Sequence, residues 1–320
     1  MEKILDFVET TPIVAYQNHA YYHGILFTHS EYVNQFMSNY INIYYHKNAN
    51  CKVNFVLETW YPDADFFLAN KIFYKKSLDL INNNEMLEII FRMLDMGYYM
   101  LSHFDEYYVP RRHATGKFHN RHDFLTLGYT SHVQNFHIIG YTDNGVYEKS
   151  QISFNDFCLA LRSEVVGDNW IDFVKIDPSF VFELDTKRIR SLIGDYIHSR
   201  NSYGQYVDQP CTYGINATID FMKDFEANAE LLDLRFLRVL YEQKSCMLQR
   251  LHYLRVKGHL PSSELVERFE PIVHLYESAL MLATKTVIKS SRANCNKIRE
   301  MILKSVDKEL DILNDIYILL

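Results

Sequence analysis

A histidine stands directly before two short apolar runs in the stretch from His119 to Gly145, HNRHDFLTLGYTSHVQNFHIIGYTDNG. The runs cover residues 124–129 and 136–141 and are separated by polar residues, a pattern that predicts the two strands of a β-hairpin. A histidine at the start of a strand is held on rigid backbone, and imidazole as a group titrates near neutral pH. His122 is therefore the leading candidate for a general base, and the plainer alternative is a surface or structural histidine.

A further residue is needed to orient such a base. Asp143 follows the second predicted strand, where a carboxylate would fix the imidazole tautomer and stabilise the imidazolium. The Asp-Asn-Gly sequence at this point is also ordinary turn chemistry, and Thr142 fits the same place. The sequence leaves open whether Asp143 or Thr142 orients the histidine and whether Asp143 serves only the turn.

A metal site is the other chemistry that these histidines suggest. His113, His119 and His122 lie within one predicted loop, where imidazoles can converge on zinc. The spacing lacks the glutamate of a helical His-Glu-x-x-His motif, and a chain with 14 histidines brings some of them together by chance. We therefore expect no metal.

The nucleophile that a histidine would activate is harder to find. A Cys–His enzyme needs its thiol at a helix N-terminus, where the dipole lowers the thiol pKa. Cys211 precedes a predicted helix and is a secondary candidate, whereas Cys51 opens a predicted strand. The remaining cysteines fall inside predicted helices: Cys158, Cys246 and Cys295. The total of five is odd and no Cys-x-x-Cys pair occurs, so a disulfide framework is not indicated.

The composition excludes several functional classes. With 320 residues, 48% of them hydrophobic and 23% charged, the chain has the content of a folded globular protein. Its net charge of -7 disfavours a nucleic-acid partner, because duplex binders present a basic face to phosphates. No run approaches the ~18 consecutive apolar residues of a membrane span, and the start lacks the features of a signal peptide. We therefore expect a cytoplasmic protein without a membrane partner.

The elements that must position these residues change character along the chain. Helices are predicted over 31–45, 85–97, 153–165 and 187–199, and strands over 51–57, 98–104 and 173–184. From about Ile215 onward only amphipathic helices are predicted, with apolar stripes from Leu237 to Leu251 and from Ile302 to Tyr317. We predict an α+β domain at residues 1–205 and a helical domain at 206–320 packed on it. Periodicity leaves open whether the long helices cover a cleft or form a homodimer interface.

Several short motifs follow one another in a recognisable order. They are DEYYVP from Asp105 to Pro110, HNRH from His119 to His122, the apolar strand that ends at Tyr129, and FHIIGYTDNG at 136–145. A later run, LDLRFLRVLYEQKSCMLQRLHYL at 232–254, adds a helical segment. This order resembles the N-terminal domain family of butirosin biosynthesis protein H. The resemblance implies a papain-like, C39-related cysteine-enzyme fold with a C-terminal helical region.

The resemblance also implies acyl transfer in peptide-type natural-product biosynthesis. Family members use a cysteine near the N-terminus to take an acyl group from a carrier-protein thioester and deliver it to an amine. The implied partners are an acyl or peptidyl carrier protein, whose phosphopantetheine arm holds the donor, and a small amine acceptor; no other cofactor is expected. His122 would deprotonate the thiol and then the amine, with Asp143 orienting it. Asp105 and Tyr108 are expected at oxyanion or substrate-binding positions.

The nucleophile position departs from the family pattern. In the papain-like order the cysteine opens the first long helix, after a polar residue of the oxyanion hole. The corresponding region is AYQNHAYYHGILFTHSE, in which Gln17 fits the oxyanion donor and the nucleophile position holds Ala20. A natural loss of the nucleophile, a different register and a Cys→Ala replacement that traps substrate are all open. The intact remainder of the site favours the replacement.

The sequence leaves two alternatives to amide-bond formation as the function. One is a non-catalytic protein of the same fold that holds a peptide or a carrier protein in its cleft. The other is a hydrolase that uses Cys211 as its nucleophile.

Overall fold

The protein combines helices with antiparallel sheets, and this coarse part of the fold prediction is confirmed. The computed structural model describes residues 2–59, 61–72, 80–167, 170–202, 211–227, 233–289 and 294–320. The helices are α1 (Gln17–Leu26), α2 (Tyr32–Ser38), α3 (Asn83–Asp95), α4 (Phe154–Arg162), α5 (Thr186–Ile197), α6 (Gly214–Ala227), α7 (Leu234–Val256), α8 (Glu264–Ile288) and α9 (Cys295–Leu319). The strands are β1 (Glu2–Ile4), β2 (Ile43–Tyr45), β3 (Val53–Phe55), β4 (Phe67–Ile72), β5 (Tyr99–Asp105), β6 (Arg121–Thr130), β7 (Asn135–Tyr141), β8 (Tyr147–Ser153), β9 (Ile171–Ile176) and β10 (Thr212–Tyr213).

The chain divides into two compact units, each built from two segments. The first unit comprises Met1–Ser30 and Tyr61–Phe180, and the second comprises Glu31–Trp60 and Val181–Leu320. The sequence-based boundary between 205 and 206 lies outside the described residues. The predicted packing of a helical domain on an α+β domain stays a prediction.

The first unit is built on an antiparallel sheet with the strand order β4-β9-β5-β6-β7-β8, and β1 pairs with β6. The predicted hairpin forms: β6 pairs with β7, with a shift of register between Thr126 and Gly128. A Cβ at Gly128 would lie 2.0 Å from the carbonyl oxygen of Lys3, so the approach of β1 requires glycine there. The pairing of β5 with β6 sets Phe104 opposite His122 and Asp105 opposite Arg121.

Helices α3 and α4 cover this sheet because their apolar faces match its core. Met86, Ile90 and Leu94 of α3 join Phe157 and Leu161 of α4 in a cluster with buried strand residues. The helix ends follow local signals in the sequence. The Asn82 side chain accepts a hydrogen bond from the N–H of Glu85 at the start of α3, and the Ser153 side chain accepts one from the N–H of Asp156 at the start of α4.

The second unit contains a small sheet of strand order β10-β2-β3 and the long helices. Helix α8 packs against both α7 and α9, as the amphipathic stripes predict. Inside this bundle the Lys244 ammonium lies 2.6 Å from Glu309 Oε1, and both side chains are fully buried. Burial lowers the pKa of Lys244, and the charge of Glu309 opposes that shift.

Two predicted elements end at least seven residues before their expected last residue. The predicted helix at 31–45 ends at Ser38, and β2 follows it, because Arg250 binds the carbonyls of Met37 and Asn39 and so occupies the C-terminal end of α2. The predicted strand at 173–184 is limited to β9, which ends at Ile176. Asp177 then accepts hydrogen bonds from Ser179 in a turn that contains a proline, and a proline cannot donate to a sheet.

Helix α1 is held in the first unit by a buried polar cluster. His19 Nδ1 lies 2.7 Å from the Tyr61 hydroxyl, which lies 3.3 Å from His23 Nε2. The Tyr22 ring stacks on Tyr61 with centroids 4.5 Å apart. Burial lowers the pKa of His23 well below its usual value of 6.5, and the neighbouring His19 lowers it further.

The buried His23 predicts a loss of stability in mild acid. The unfolded chain takes up a proton near pH 6.5 that the folded chain does not, so this contribution is complete above pH 6.5 and declines below it. The slope from this group reaches about 1.4 kcal/mol per pH unit. Unfolding midpoints between pH 7.5 and 5 should therefore fall more steeply for the wild type than for His23→Gln. The exposed His274→Gln is the control, and equal slopes in all three proteins would contradict the prediction.

Candidate active site

Two histidines of the first unit carry the site chemistry, and both depend on the pairing of β5 with β6. Strand β5 ends at Asp105, a single 3-10 turn follows at Glu106–Tyr108, and the loop returns to β6 through Asn120. The N–H of Glu106 donates to the carbonyl of Asn120 at 2.9 Å, which closes the loop at its base. His119 and His122 therefore lie next to the carboxyl groups at the end of β5.

The buried carboxylate of Asp105 is the centre of one cluster. Its Oδ2 accepts hydrogen bonds from His119 Nδ1 at 2.5 Å and from the Ser163 hydroxyl at 2.6 Å. Its Oδ1 accepts from the backbone N–H groups of Tyr107 and Asn120, both at 3.1 Å. The Asp105 side chain has no exposed surface, so these four donors take the place of water.

The hydrogen bonds decide the charge of Asp105. Burial alone raises the pKa of this carboxyl, but the bonds from Ser163, His119 and the two backbone groups outweigh it, and the net effect lowers the pKa below 3.8. Asp105 is therefore ionised at neutral pH. A fully ionised carboxylate can only accept hydrogen bonds, so the His119 nitrogen that faces it carries a hydrogen.

His119 is consequently held as a base. With the hydrogen on Nδ1, the neutral imidazole presents the lone pair of Nε2, and no hydrogen bond to Nε2 is formed by the residues that the structure describes. The ring stacks on Tyr107 with centroids 4.6 Å apart, which restricts its rotation. The side chain is 53% exposed and lines a cavity, so the ring can contact a substrate.

A cavity of about 540 Å³ adjoins this dyad. Its size falls within the range of small-molecule sites in proteins. Helix α4 and the residues after it form much of the wall. The lining residues are Asn83, Tyr108, His119, Cys158, Leu159, Arg162, Ser163, Glu164 and Val165. A bound molecule would thus contact a histidine whose tautomer a carboxylate has fixed.

His122, the leading sequence candidate, has a different environment. Gln17, the first residue of α1, donates from Nε2 to His122 Nδ1 at 2.8 Å and to the carbonyl of Asp123 at 2.9 Å. Gln17 Oε1 accepts from the N–H of Tyr141 at 3.3 Å, which defines the orientation of the amide. Glu106 Oε1 lies 3.6 Å from His122 Nδ1.

This contact gives His122 the role of a hydrogen-bond acceptor. The Gln17 amide occupies the side of Nδ1 from which the thiol of a Cys–His pair would approach. A hydrogen on Nδ1 would point at the N–H of Gln17, so this nitrogen accepts the hydrogen bond. Gln17 and His122, both candidate site residues from the sequence, are in contact in the structure. The oxyanion role predicted for Gln17 stays a prediction.

The other predicted members of the triad lie in α1 and in the turn after β7. Ala20 lies inside α1 with no exposed surface, so a thiol there would be buried and its thiolate disfavoured. The backbone N–H of Asp143 donates to the backbone carbonyl of Arg111. Among the described residues the Asp143 side chain forms no hydrogen bond or ion pair with His122. The Thr142 hydroxyl donates to the carbonyl of Val146 within the same turn. Of the remaining predicted site residues, Asp105 and Tyr108 both belong to the His119 cluster.

The cysteines offer no activated thiol at this site. Cys158 lines the cavity, but burial raises its pKa to about 11. Burial raises the pKa of Cys246 to about 12 and also raises that of Cys211, the secondary candidate. Cys295 was expected inside a helix and is the first residue of α9 instead.

The three loop histidines contact three different residues. His119 binds Asp105, His122 binds Gln17, and the His113 ring packs edge-on against Phe118. Within the described part of the chain, no group of three or more His, Cys, Asp or Glu side chains is placed to hold a metal ion. Nor does any helix there have the length and apolar character needed to cross a membrane.

Comparison with known proteins leaves the family open. The chain matches no protein-family model, and no curated protein matches its sequence. The resemblance to the butirosin biosynthesis protein H family stays a prediction that rests on the motifs quoted above.

Sequence reasoning missed Ser163 and the role of His119 as a base. His119 was considered only as a metal ligand, because it precedes the predicted strand and has no local partner. The alignment of Asp105 at the end of β5 with the residues that lead into β6 could have been inferred by pairing the two predicted strands. Ser163 comes from the far end of α4, and no local pattern points to it.

The pKa of Asp105 should depend on Ser163. We expect Ser163→Ala to raise the carboxyl pKa toward 3.8, because the largest of the favourable hydrogen bonds is lost. A depressed carboxyl pKa stabilises the fold above pH 3.8 and loses that effect as the pH falls, so the variant should also unfold at a higher pH in acid. The measurement is an NMR titration of the Asp105 carboxyl carbon. Ser131→Ala, in the turn after β6, is the control, and an unchanged pKa in Ser163→Ala would contradict the assignment.

Proposed function

We propose that the protein transfers an acyl group from a thioester to a small amine, with His119 as the general base. The observation that carries the proposal is the Asp105–His119 dyad at the wall of a cavity of about 540 Å³. The proposal includes a papain-like, C39-related fold for the α+β part of the chain. The contact of Gln17 at the start of α1 with His122 at the start of β6 supports that arrangement.

The reaction needs no cysteine on the protein, because a thioester is already an activated acyl donor. The amine nitrogen attacks the thioester carbonyl while His119 Nε2 takes its proton, and the carbon–sulfur bond then breaks. The proton passes from His119 to the departing thiolate, so the products are an amide and a free thiol. Asp105 stabilises the imidazolium that forms between these steps. Asn83 and Arg162 are lining residues with N–H groups that can donate to the carbonyl oxygen as negative charge develops.

The acyl donor is proposed to be held on the phosphopantetheine arm of an acyl or peptidyl carrier protein. This part of the proposal rests on the family resemblance, as does the small amine acceptor. On this account Ala20 is a core residue of α1, and no nucleophile is required at position 20.

A non-catalytic binding protein of the same fold is the second candidate. The occupation of His122 Nδ1 by the Gln17 amide favours it, because a papain-like enzyme would leave that nitrogen for its thiol. The two candidates differ in what they predict for His119.

Substitution of the dyad separates these candidates. With an N-acetylcysteamine thioester as donor and a short diamine as acceptor, His119→Ala should slow thiol release and amide formation by about 10²-fold or more. Asp105→Asn should also slow the reaction, because an amide can stabilise the wrong tautomer of the ring. His113→Ala, a substitution of an exposed histidine in the same loop, should keep wild-type activity.

The same assay can refute the proposal that the protein is an enzyme. Equal rates for the wild type and His119→Ala, with both proteins folded by circular dichroism, would exclude the general base. Absence of transfer from the N-acetylcysteamine thioester would favour the binding protein. Intact-mass spectra should show no acyl-enzyme, and Ala20→Cys should not produce one.

A further inference from the structure

Two large aliphatic side chains are exposed beside the dyad. Leu159 is 43% exposed and Val165 is 39% exposed, and both line the cavity that His119 adjoins. Single exposed hydrophobic residues are common on protein surfaces, but these two converge on one concave site. A ligand that covered both would remove their apolar surface from water.

Two further residues of the cavity lining, Tyr108 and Cys158, add apolar surface. The Cys158 thiol is 2% exposed, and its pKa of about 11 keeps it protonated. The Tyr108 ring packs partly against the hydrophobic core of the first unit. With Leu159 and Val165, these side chains form the apolar wall of the cavity.

Two polar residues of the cavity lining are held by contacts with the protein itself. The Ser163 hydroxyl donates to Asp105, and the Arg162 guanidinium donates to the carbonyl of Ile81 at 2.8 Å. These bonds hold both side chains in place beside the apolar lining residues, which are the surface that suits a long apolar substituent.

We propose that this cavity binds an apolar acyl chain of medium length, with the thioester carbonyl next to His119. The inference rests on the proposed function for the reaction and adds the class of acyl group. An acyl chain bound in this way lies along Tyr108, Cys158, Leu159 and Val165. A short or charged acyl group would leave the wall in contact with water.

Binding of unreactive analogues tests this inference apart from catalysis. The probes are N-acetylcysteamine thioethers with butyl, hexyl and octyl chains, in which a methylene replaces the carbonyl. Calorimetric titration of the wild type should show an affinity gain of about fourfold for each added methylene. Val165→Ser and Leu159→Ser should each weaken octyl binding about fourfold or more, since both remove apolar contact.

Matched variants separate the inference from the proposed function. Val133→Ser alters another exposed valine of the first unit, 49% exposed and not part of the cavity lining, and should bind the octyl probe like the wild type. His119→Ala should retain the dependence on chain length although it loses transfer. Affinity independent of chain length, or equal effects of Val165→Ser and Val133→Ser, would overturn the inference even if transfer depends on His119. Chain-dependent binding without any transfer would refute the proposed function and leave the inference standing.

Discussion

The buried carboxylate of Asp105 is the interaction on which the rest of the site depends. An ionised carboxylate is costly to remove from water unless hydrogen bonds replace the lost hydration. Asp105 receives four, from the 3-10 turn, from the residue before β6, from His119 and from the end of α4. One side chain thereby joins the end of β5 to the loop that follows it and to the helix that lines the cavity.

This arrangement sets the hydrogen-bonding roles of two histidines, His119 in the loop and His122 at the start of β6. His119 faces a group that can only accept a hydrogen, whereas His122 faces an amide N–H that donates to it. The two imidazoles therefore differ: His119 presents a free basic nitrogen, whereas the nitrogen of His122 already accepts a hydrogen bond. This contrast explains why His119 is the better candidate for the general base although His122 lies at the start of a strand.

Much of the secondary structure could be predicted, because it depends on local pattern. The helices predicted over 85–97 and 153–165 and the strands of the β6–β7 hairpin all form close to where the sequence predicts them. Strand β8 is not among the predicted strands, because it lies at the end of the sheet and only one of its residues is buried. Helix α2 is shorter than its periodicity suggests because Arg250, more than 200 residues away, binds its final carbonyls. The Asp105–His119–Ser163 cluster has the same origin: it is created by strand pairing and helix packing, which local patterns do not contain.

The protonation state of the His119 ring is the most direct test of this account. Long-range ¹⁵N–¹H correlation spectra of the ¹⁵N-labelled protein at neutral pH distinguish the ring nitrogen that carries hydrogen from the one that does not. For the neutral form of the ring we predict hydrogen on Nδ1 and a lone pair on Nε2, with the two tautomers becoming mixed in Asp105→Asn. A neutral ring with hydrogen on Nε2 in the wild type would contradict the claim that Asp105 holds His119 as a base.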